Sequence, residues 1–578
     1  MSTSRRALIK SAAYAALLSG CSSSDTRKEA ARAESAGGDG LSIDDIAAAE
    51  KVAGLRFTHE ERALAFEGIE GALETLARLR SLEFANAHAP ALQFNPKLAN
   101  MRVGSQKNTL KLGAVHDAPF PSQDADIAFA SVGQQAQWIR SGALSSKRLT
   151  EIYLKRIATF DGDLSAFITV TPDRALKEAE KADAERAQGR DRGPLHGIPY
   201  ALKDLADTKG VSTTWGAEPF RDHVPQTDAE ILRKLERAGA VLLGKTACGA
   251  IAYGDQWYGG VTKNPWNPNE GSSGSSAGSA SALAAGLCSF SIGTETLGSI
   301  ISPSERCGVA GLRPTYGRVS RAGFMALCWS LDKVGPLCRY VEDTAIVLSE
   351  INGYDADDPG AARYGFAYDG ETDIRSLTVG YVPDWFEKGD AIDRKALDAM
   401  KSLGVTLKEF PWPSTDYSPL VKIVEIEAAA AFSDLTLSDR DDELTWQDAR
   451  AWPNSWRQAR LFPAVDYVQI DRLRRRAMQE LGDAFAGFDA LIGPNFAADA
   501  LLATNCTGHP QLCVRAGFAQ TPTRDLFSQS AKTAGAETFR TPRGVSLWAN
   551  LFQEGKIIAL GRALESALGV QRIRPPGL

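Results

Sequence analysis

The sequence predicts an α/β fold preceded by a helical extension. Three observations carry that prediction. Segments with apolar residues at helical spacing alternate with short apolar runs such as Ala240–Leu243 and Cys288–Ile292, which read as buried strands. Gly/Ser/Thr-rich turns, Gly271–Ser276 and Gly293–Ser299, punctuate the alternation. Apart from it, no internal repeat is present.

Composition sets outer limits. With 44% hydrophobic and 24% charged residues, the 578-residue chain is globular and long enough for more than one ordinary domain. A net charge of −6 leaves no basic footprint, so nucleic acid is not an expected partner. No apolar run reaches the roughly 18 residues that span a bilayer.

The N-terminus carries its own signal. Ser4-Arg-Arg-Ala-Leu-Ile-Lys10, then the apolar run Ala12–Leu18, resembles a twin-arginine export signal. Leu18-Ser-Gly-Cys21 resembles a lipobox, in which Cys21 is lipidated and becomes the mature N-terminus, and Ser22 points to the outer membrane. Residues 1–21 are thus expected to be a processing signal. The body would be tethered to the periplasmic face of the outer membrane, with a cytoplasmic enzyme as the alternative. Seven cysteines remain, an odd number without a CxxC pair, which indicates neither zinc nor a disulfide framework.

Residues 22–40 are polar and aperiodic, a linker. Residues 41–123 form a helical accessory region and an arm. Within it, Thr58-His-Glu-Glu61 is a capping box, and Leu64, Phe66, Ile69, Leu73, Leu76 and Leu79 recur at helical spacing. The main domain takes residues 124–578. It opens with two amphipathic helices between Asp126 and Phe160 and a charged helix, Ala175–Gln188. Leu195-HGIPYALKD204 follows, then the strand-like Ala240–Leu243. Residues 446–467, with Trp446, Trp452, Trp456, Phe462 and Tyr467, are expected to wall a pocket.

The stretch Gly271–Gly317 holds the chemistry. Small residues from Ala277 to Gly286 suit a tightly packed helix, and Ser302-Pro-Ser-Glu305 supplies Ser at N-cap, Pro at N1 and Glu at N3 of another. Ser275 therefore lies near one helix N-terminus and Ser299 just before the next. Helix N-termini present unpaired N–H groups and partial positive charge, which suits a developing oxyanion.

Ser273-GSSAGSA280, Gly293-TETLGSI300 and Gly308-VAGLRPTYGRVS320 together resemble the amidase signature family, and the likeness runs from about Ile127 to the C-terminus. Leu327–Ala345 and Asn505-CTGHP510 resemble further segments of that family. The resemblance implies a mixed central sheet between helical layers. It places the family's catalytic lysine on Lys203 of the GxPxxxKD segment, its bridging serine, after a cis peptide bond, on Ser275, and its nucleophile on Ser299. The oxyanion would be held by backbone N–H groups of Thr296, Leu297, Gly298 and Ser299, with Ser276 a donor behind them. Glu295 and Ile301 depart from the commonest pattern but agree with a GTETDGSI-type subgroup that includes peptide amidases. Leu297 is less usual, since a β-carbon there could restrict the turn.

Those residue types fit the chemistry. A serine hydroxyl is a poor nucleophile until a base takes its proton. Lysine serves as base only when neutral, and burial lowers its pKa from about 10.4. The apolar Pro199–Leu202 run suits such burial.

Competing motifs are weaker. Gly239-AVLLGKT246 fits the P-loop formula, but its middle residues are themselves a strand. His59-Glu60 lacks a second histidine at residue 63, so no HExxH metal site exists, and neither His196 nor His509 sits in a triad motif. The expected activity is hydrolysis of a small-molecule or peptide carboxamide to acid and ammonia or amine, without metal or cofactor. A homodimer is one expected state. The alternatives are a catalytically degenerate amide-binding protein and a glutaminase-type component of an amidotransferase.

Overall fold

The computed structural model describes residues 41–578 apart from Glu83, Arg102 and residues 104–106, 114–119 and 526–536. The described residues up to Ala85, with Leu461–Pro463, make one compact unit, and the rest of the chain from Asn86 makes the other.

The first unit contains helices α1 (Ile43–Ala53) and α2 (His59–Arg80). The capping box expected at Thr58 is present: its side chain accepts from the Glu61 N–H and the Glu61 carboxylate accepts from the Thr58 N–H. Ser42 and Asp45 form a second one on α1. Arg62 joins the two helices through a 2.8 Å ion pair to the buried Glu50. Leu64, Leu73, Leu76 and Leu79 are exposed.

The second unit is built on an 11-stranded sheet. Numbered along the chain, its strands are β1 (Phe167–Val170), β2 (Pro199–Lys203), β3 (Val241–Thr246), β4 (Phe290–Glu295), β5 (Ala310–Arg313), β6 (Lys333–Cys338), β7 (Thr378–Tyr381), β8 (Thr406–Glu409), β9 (Ala490–Pro494), β10 (Gln511–Pro522) and β11 (Thr538–Trp548). The spatial order is β8-β7-β9-β11-β10-β5-β6-β4-β2-β3-β1. It is a mixed sheet. β2 runs parallel to both β3 and β4, and β7 parallel to β8 and β9, while the strands between those blocks pair antiparallel. Helices flank it: Pro172–Ala187 packs on β3, and Glu554–Leu568 packs on β10 and on the helix Val341–Ile351.

Strands β2, β3 and β4 are buried along their whole length, as parallel strands covered on both faces must be. The P-loop look-alike therefore resolves as strand β3. Its Lys245 is spent inside the sheet, 3.0 Å from Asp204 and donating to the Ala206 carbonyl and the Thr213 hydroxyl.

Candidate active site

Two parallel neighbours set the site. Register pairs Tyr200 with Phe290 and Leu202 with Ile292, so the ends of β2 and β4 carry Lys203 and Thr294 side by side. After Gly271 the chain crosses to α3 (Ala277–Ala284), whose small residues are all buried. This crossing delivers Ser275 and Ser276 to the same point. The Lys203 Nζ lies 2.9 Å from Ser275 Oγ, 3.2 Å from Ser276 Oγ and 2.8 Å from Thr294 Oγ1. Burial lowers its pKa from 10.5 to about 8, against the opposing pull of Cys248, Asp332 and Glu295.

The loop before Ser275 is tightly fixed. The Gly274–Ser275 peptide bond is cis. A β-carbon on Gly274 would sit 1.8 Å from the Gly254 carbonyl oxygen, so only glycine fits. Ser273, in the left-handed region at φ 59°, donates its N–H to Asp255 (2.9 Å), and its hydroxyl bonds that of Ser302 (2.7 Å).

Ser299 follows the turn from Thr296 to Gly298. The Ser276 N–H donates to the Ser299 carbonyl at 3.2 Å, which brings the second serine against the first loop. Among the described residues, the N–H groups of Thr296, Leu297, Gly298 and Ser299 meet no acceptor. Leu297 does not strain the turn: only Gly298, at φ 88°, takes the left-handed conformation there.

The helix after this turn, α4 (Ile301–Cys307), starts earlier than expected. Ser302 is not its N-cap. The Glu295 carboxylate accepts from the Ile300 and Ile301 N–H groups at 2.8 and 3.0 Å, and this frees the Ser302 hydroxyl for Ser273. Burial opposes ionisation of Glu295. Arg313 (2.9 Å), the Ile301 N–H and Asn505 (2.9 Å) together outweigh it and hold the carboxyl below the usual range. Asn505 belongs to the helix Ala500–Thr507, so the family-like segment that it opens touches the site through Glu295.

A cavity of about 350 Å3 reaches the cluster through Thr294 and Thr296. Leu205, Phe324, Met325 and Val334 line it, as do Asp332 and Lys333. Asp332 accepts from Thr296 Oγ1 at 2.7 Å and from the N–H groups of Leu327 and Cys328. Burial lowers the Lys333 pKa to about 7, and its Nζ donates to the Leu331 carbonyl. Sequence reasoning missed Thr294 and Lys333. A lysine inside the apolar LDKVGPL run was the available signal for the latter.

The aromatic stretch plays a different part from the one expected. Trp452 and Trp456 are buried and stacked on one another, and neither they nor Trp446 lines the cavity. Instead, Trp452 Nε1 donates to the Ile251 carbonyl at 2.9 Å, holding the left-handed Ile251-Ala252 pair whose second member does line it. His509 is buried against Phe485 with its pKa pushed down to about 3, and His196 is fully buried beside Glu185. A larger hollow of about 980 Å3, bordered by Arg339, Arg515 and Glu565, includes none of the clustered serines, Lys203 or Thr294.

Sheet, serine pair and buried lysine define a class, the serine hydrolases that act on amides. Comparison with known proteins narrows this. A family profile described as Amidase matches residues 148–558. The chain belongs to that family, the amidase signature enzymes, and is a serine amidase. A glutamyl-tRNA(Gln) amidotransferase component from Anaeromyxobacter dehalogenans is 34% identical over 465 residues, 75% of this chain and 94% of that one. Its counterpart of the same name from Desulfatibacillum aliphaticivorans is 32% identical, over 77% of this chain and 98% of its own length. The native peptide amidase of Stenotrophomonas maltophilia superposes with a TM-score of 0.66 at 30% identity, covering 77% of this chain and 98% of that one.

These relatives overturn the expectation of export. Chains matched along nearly their whole length are named as subunits of a glutamyl-tRNA(Gln) amidotransferase, not as signal-bearing, periplasmic, membrane-anchored lipoproteins. An arginine pair before a short apolar run is a pattern of little information beside a match of that extent. Cys21 and the rest of residues 1–40 lie outside the described residues. Among those described, no helix is long and apolar enough to cross a membrane.

Proposed function

We propose that the protein hydrolyses a carboxamide through an acyl-enzyme on Ser299, with Ser275 as proton relay and Lys203 as base. The observation that carries this is the contact of 2.9 Å between Lys203 Nζ and Ser275 Oγ, at a lysine whose pKa burial has lowered to about 8. Neutral lysine has two N–H groups and one lone pair. Ser276 commits its own hydroxyl proton to the Thr294 carbonyl, so its oxygen serves as acceptor. With Ser276 Oγ and Thr294 Oγ1 accepting the two N–H groups, the lone pair is left for the Ser275 hydroxyl.

The steps follow. Ser299 Oγ attacks the amide carbon as its proton passes to Ser275 Oγ, and the Ser275 proton passes to Lys203 Nζ. The N–H groups from Thr296 to Ser299 take up the charge developing on the carbonyl oxygen. The proton then returns from Lys203 through Ser275 to the leaving nitrogen, the C–N bond breaks, and amine departs. Water repeats the sequence on the ester and frees the acid. The test is release of ammonia or amine from a panel of aryl, alkyl and peptide amides. Ser299→Ala and Lys203→Ala should each abolish turnover with the fold intact; activity like that of the unaltered protein in either would sink the mechanism. Failure of a fluorophosphonate probe to label Ser299 would favour a degenerate binding protein.

The relatives' names favour a second reading, a glutaminase-type component of a larger complex. Glutamine hydrolysis that appears only when partner subunits are added would select it.

A further inference from the structure

Asn86 opens the arm and clamps the loop that bounds the cavity. Its Oδ1 accepts from the Ala326 N–H at 2.7 Å, and its Nδ2 donates back to the Ala326 carbonyl at 2.9 Å. Its own carbonyl accepts from Trp329 Nε1 at 3.2 Å. Eight positions on, Phe94 lies under the Arg474 guanidinium and edge-on to Tyr316, with ring centroids 5.0 Å apart. The arm is therefore fixed at both ends of a short span. Ala87 and Ala89, inside that span, line the same cavity as Thr294, Met325 and Trp329. Asn86–Ala89 also lies outside residues 148–558, the part matched by the family profile.

We infer that the Asn86–Ala89 stretch is a specificity-determining wall, which sets how long an apolar chain the amide substrate can carry. The inference rests on the amidase reading for the identity of the ligand. The physical case is its own. Two alanines leave open space where larger side chains would fill it, and the remaining apolar walls (Leu205, Phe324, Met325, Val334) suit an aliphatic or aromatic chain. The Asn86 clamp ties another part of the lining, Ala326 to Trp329, to the stretch that carries those alanines. Positioning here acts on substrate length and leaves the bond-breaking groups untouched.

The test uses the full chain and straight-chain primary carboxamides from acetamide upward, read in two ways. One is ammonia release; the other is equilibrium binding to Ser299→Ala by calorimetry. Ala89→Trp should move the longest accepted chain downward, lowering kcat/KM for longer amides about tenfold or more, with acetamide changed by less than about twofold. Asn86→Ala, which releases that part of the lining, should move the limit upward. Unchanged chain-length profiles in both variants, in turnover and in binding, would overturn the inference. No ammonia from any amide, together with a binding limit that shifts in Ala89→Trp, would defeat the amidase reading and leave the wall standing. Absence of binding by the whole series would defeat both. Ala89→Trp protein that fails to fold by circular dichroism leaves Asn86→Ala to decide.

Discussion

Thr294 reaches Lys203 across two parallel strands, with Oγ1 2.8 Å from Nζ. This hydroxyl accepts an N–H that both the ammonium and the neutral amine possess, but it favours the charged form more. Thr294→Val keeps the shape and removes the acceptor. The Lys203 pKa should then fall further below about 8, and the lysine should lose its aim at Ser275. The expected result is kcat reduced about tenfold to a hundredfold, with the acid limb of the pH–rate profile moved to lower pH. An unmoved limb would separate Thr294 from Lys203.

The unaltered enzyme should itself show that limb. Lys203 holds its proton below about pH 8 and is free to accept one above it. Activity therefore rises with pH and levels off above about 8, with no dependence on the buried His509, which stays neutral down to about pH 3. A profile of kcat/KM between pH 6 and pH 10 checks this, roughly bracketing the transition. A limb centred near 6.5 would point to an unperturbed histidine instead.

Glu295 joins the turn from Thr296 to Ser299 to the core through Arg313, Asn505 and the first N–H groups of α4. Glu295→Ala leaves the fully buried Arg313 without its carboxylate. Removing one partner of a buried pair costs about 3–5 kcal/mol, and urea denaturation should register a loss of that order. Activity should fall as well, because the turn from Thr296 to Ser299 loses its anchor. Glu295→Gln, which keeps an acceptor for the turn, should recover part of the activity.

These contacts mark where the sequence was readable. Apolar runs and Gly/Ser turns located β2, β3 and β4, and the family resemblance pointed to Lys203 and Ser275, whose side chains meet at 2.9 Å, and to Ser299, whose carbonyl accepts from the Ser276 N–H. Thr294 was out of reach because its role depends on the register between β2 and β4, which no local pattern specifies. The start of α4 was misplaced for a related reason. Ser302-Pro-Ser-Glu305 is a good local start signal, but a carboxylate seven positions upstream supplies the acceptor first. The aromatic stretch was misassigned because a Trp-rich segment packs equally well as a prop behind a cavity wall. The two alanines of the arm carry no signal at all in sequence, since their importance lies in the space they leave.

Glu565 gives a prediction about stability. Burial raises its pKa from 4.5 to about 8, aided by Asp343 and Glu342; the Val341 N–H and Arg515 pull the other way. Because the folded pKa lies above the unfolded one, the group's contribution is fully present below about pH 4.5 and is lost as pH rises through about 8. Glu565→Gln removes that titration and keeps an oxygen for the Val341 N–H. Melting temperatures of the two proteins, measured from pH 5 to pH 9, should therefore diverge, the unaltered chain losing stability relative to the variant by about 4 kcal/mol over that range. Taking the difference cancels groups shared by both proteins, among them Lys203, whose lowered pKa gives the opposite slope. Parallel curves would mean that Glu565 is ionised in the folded protein, with Arg515 outweighing burial.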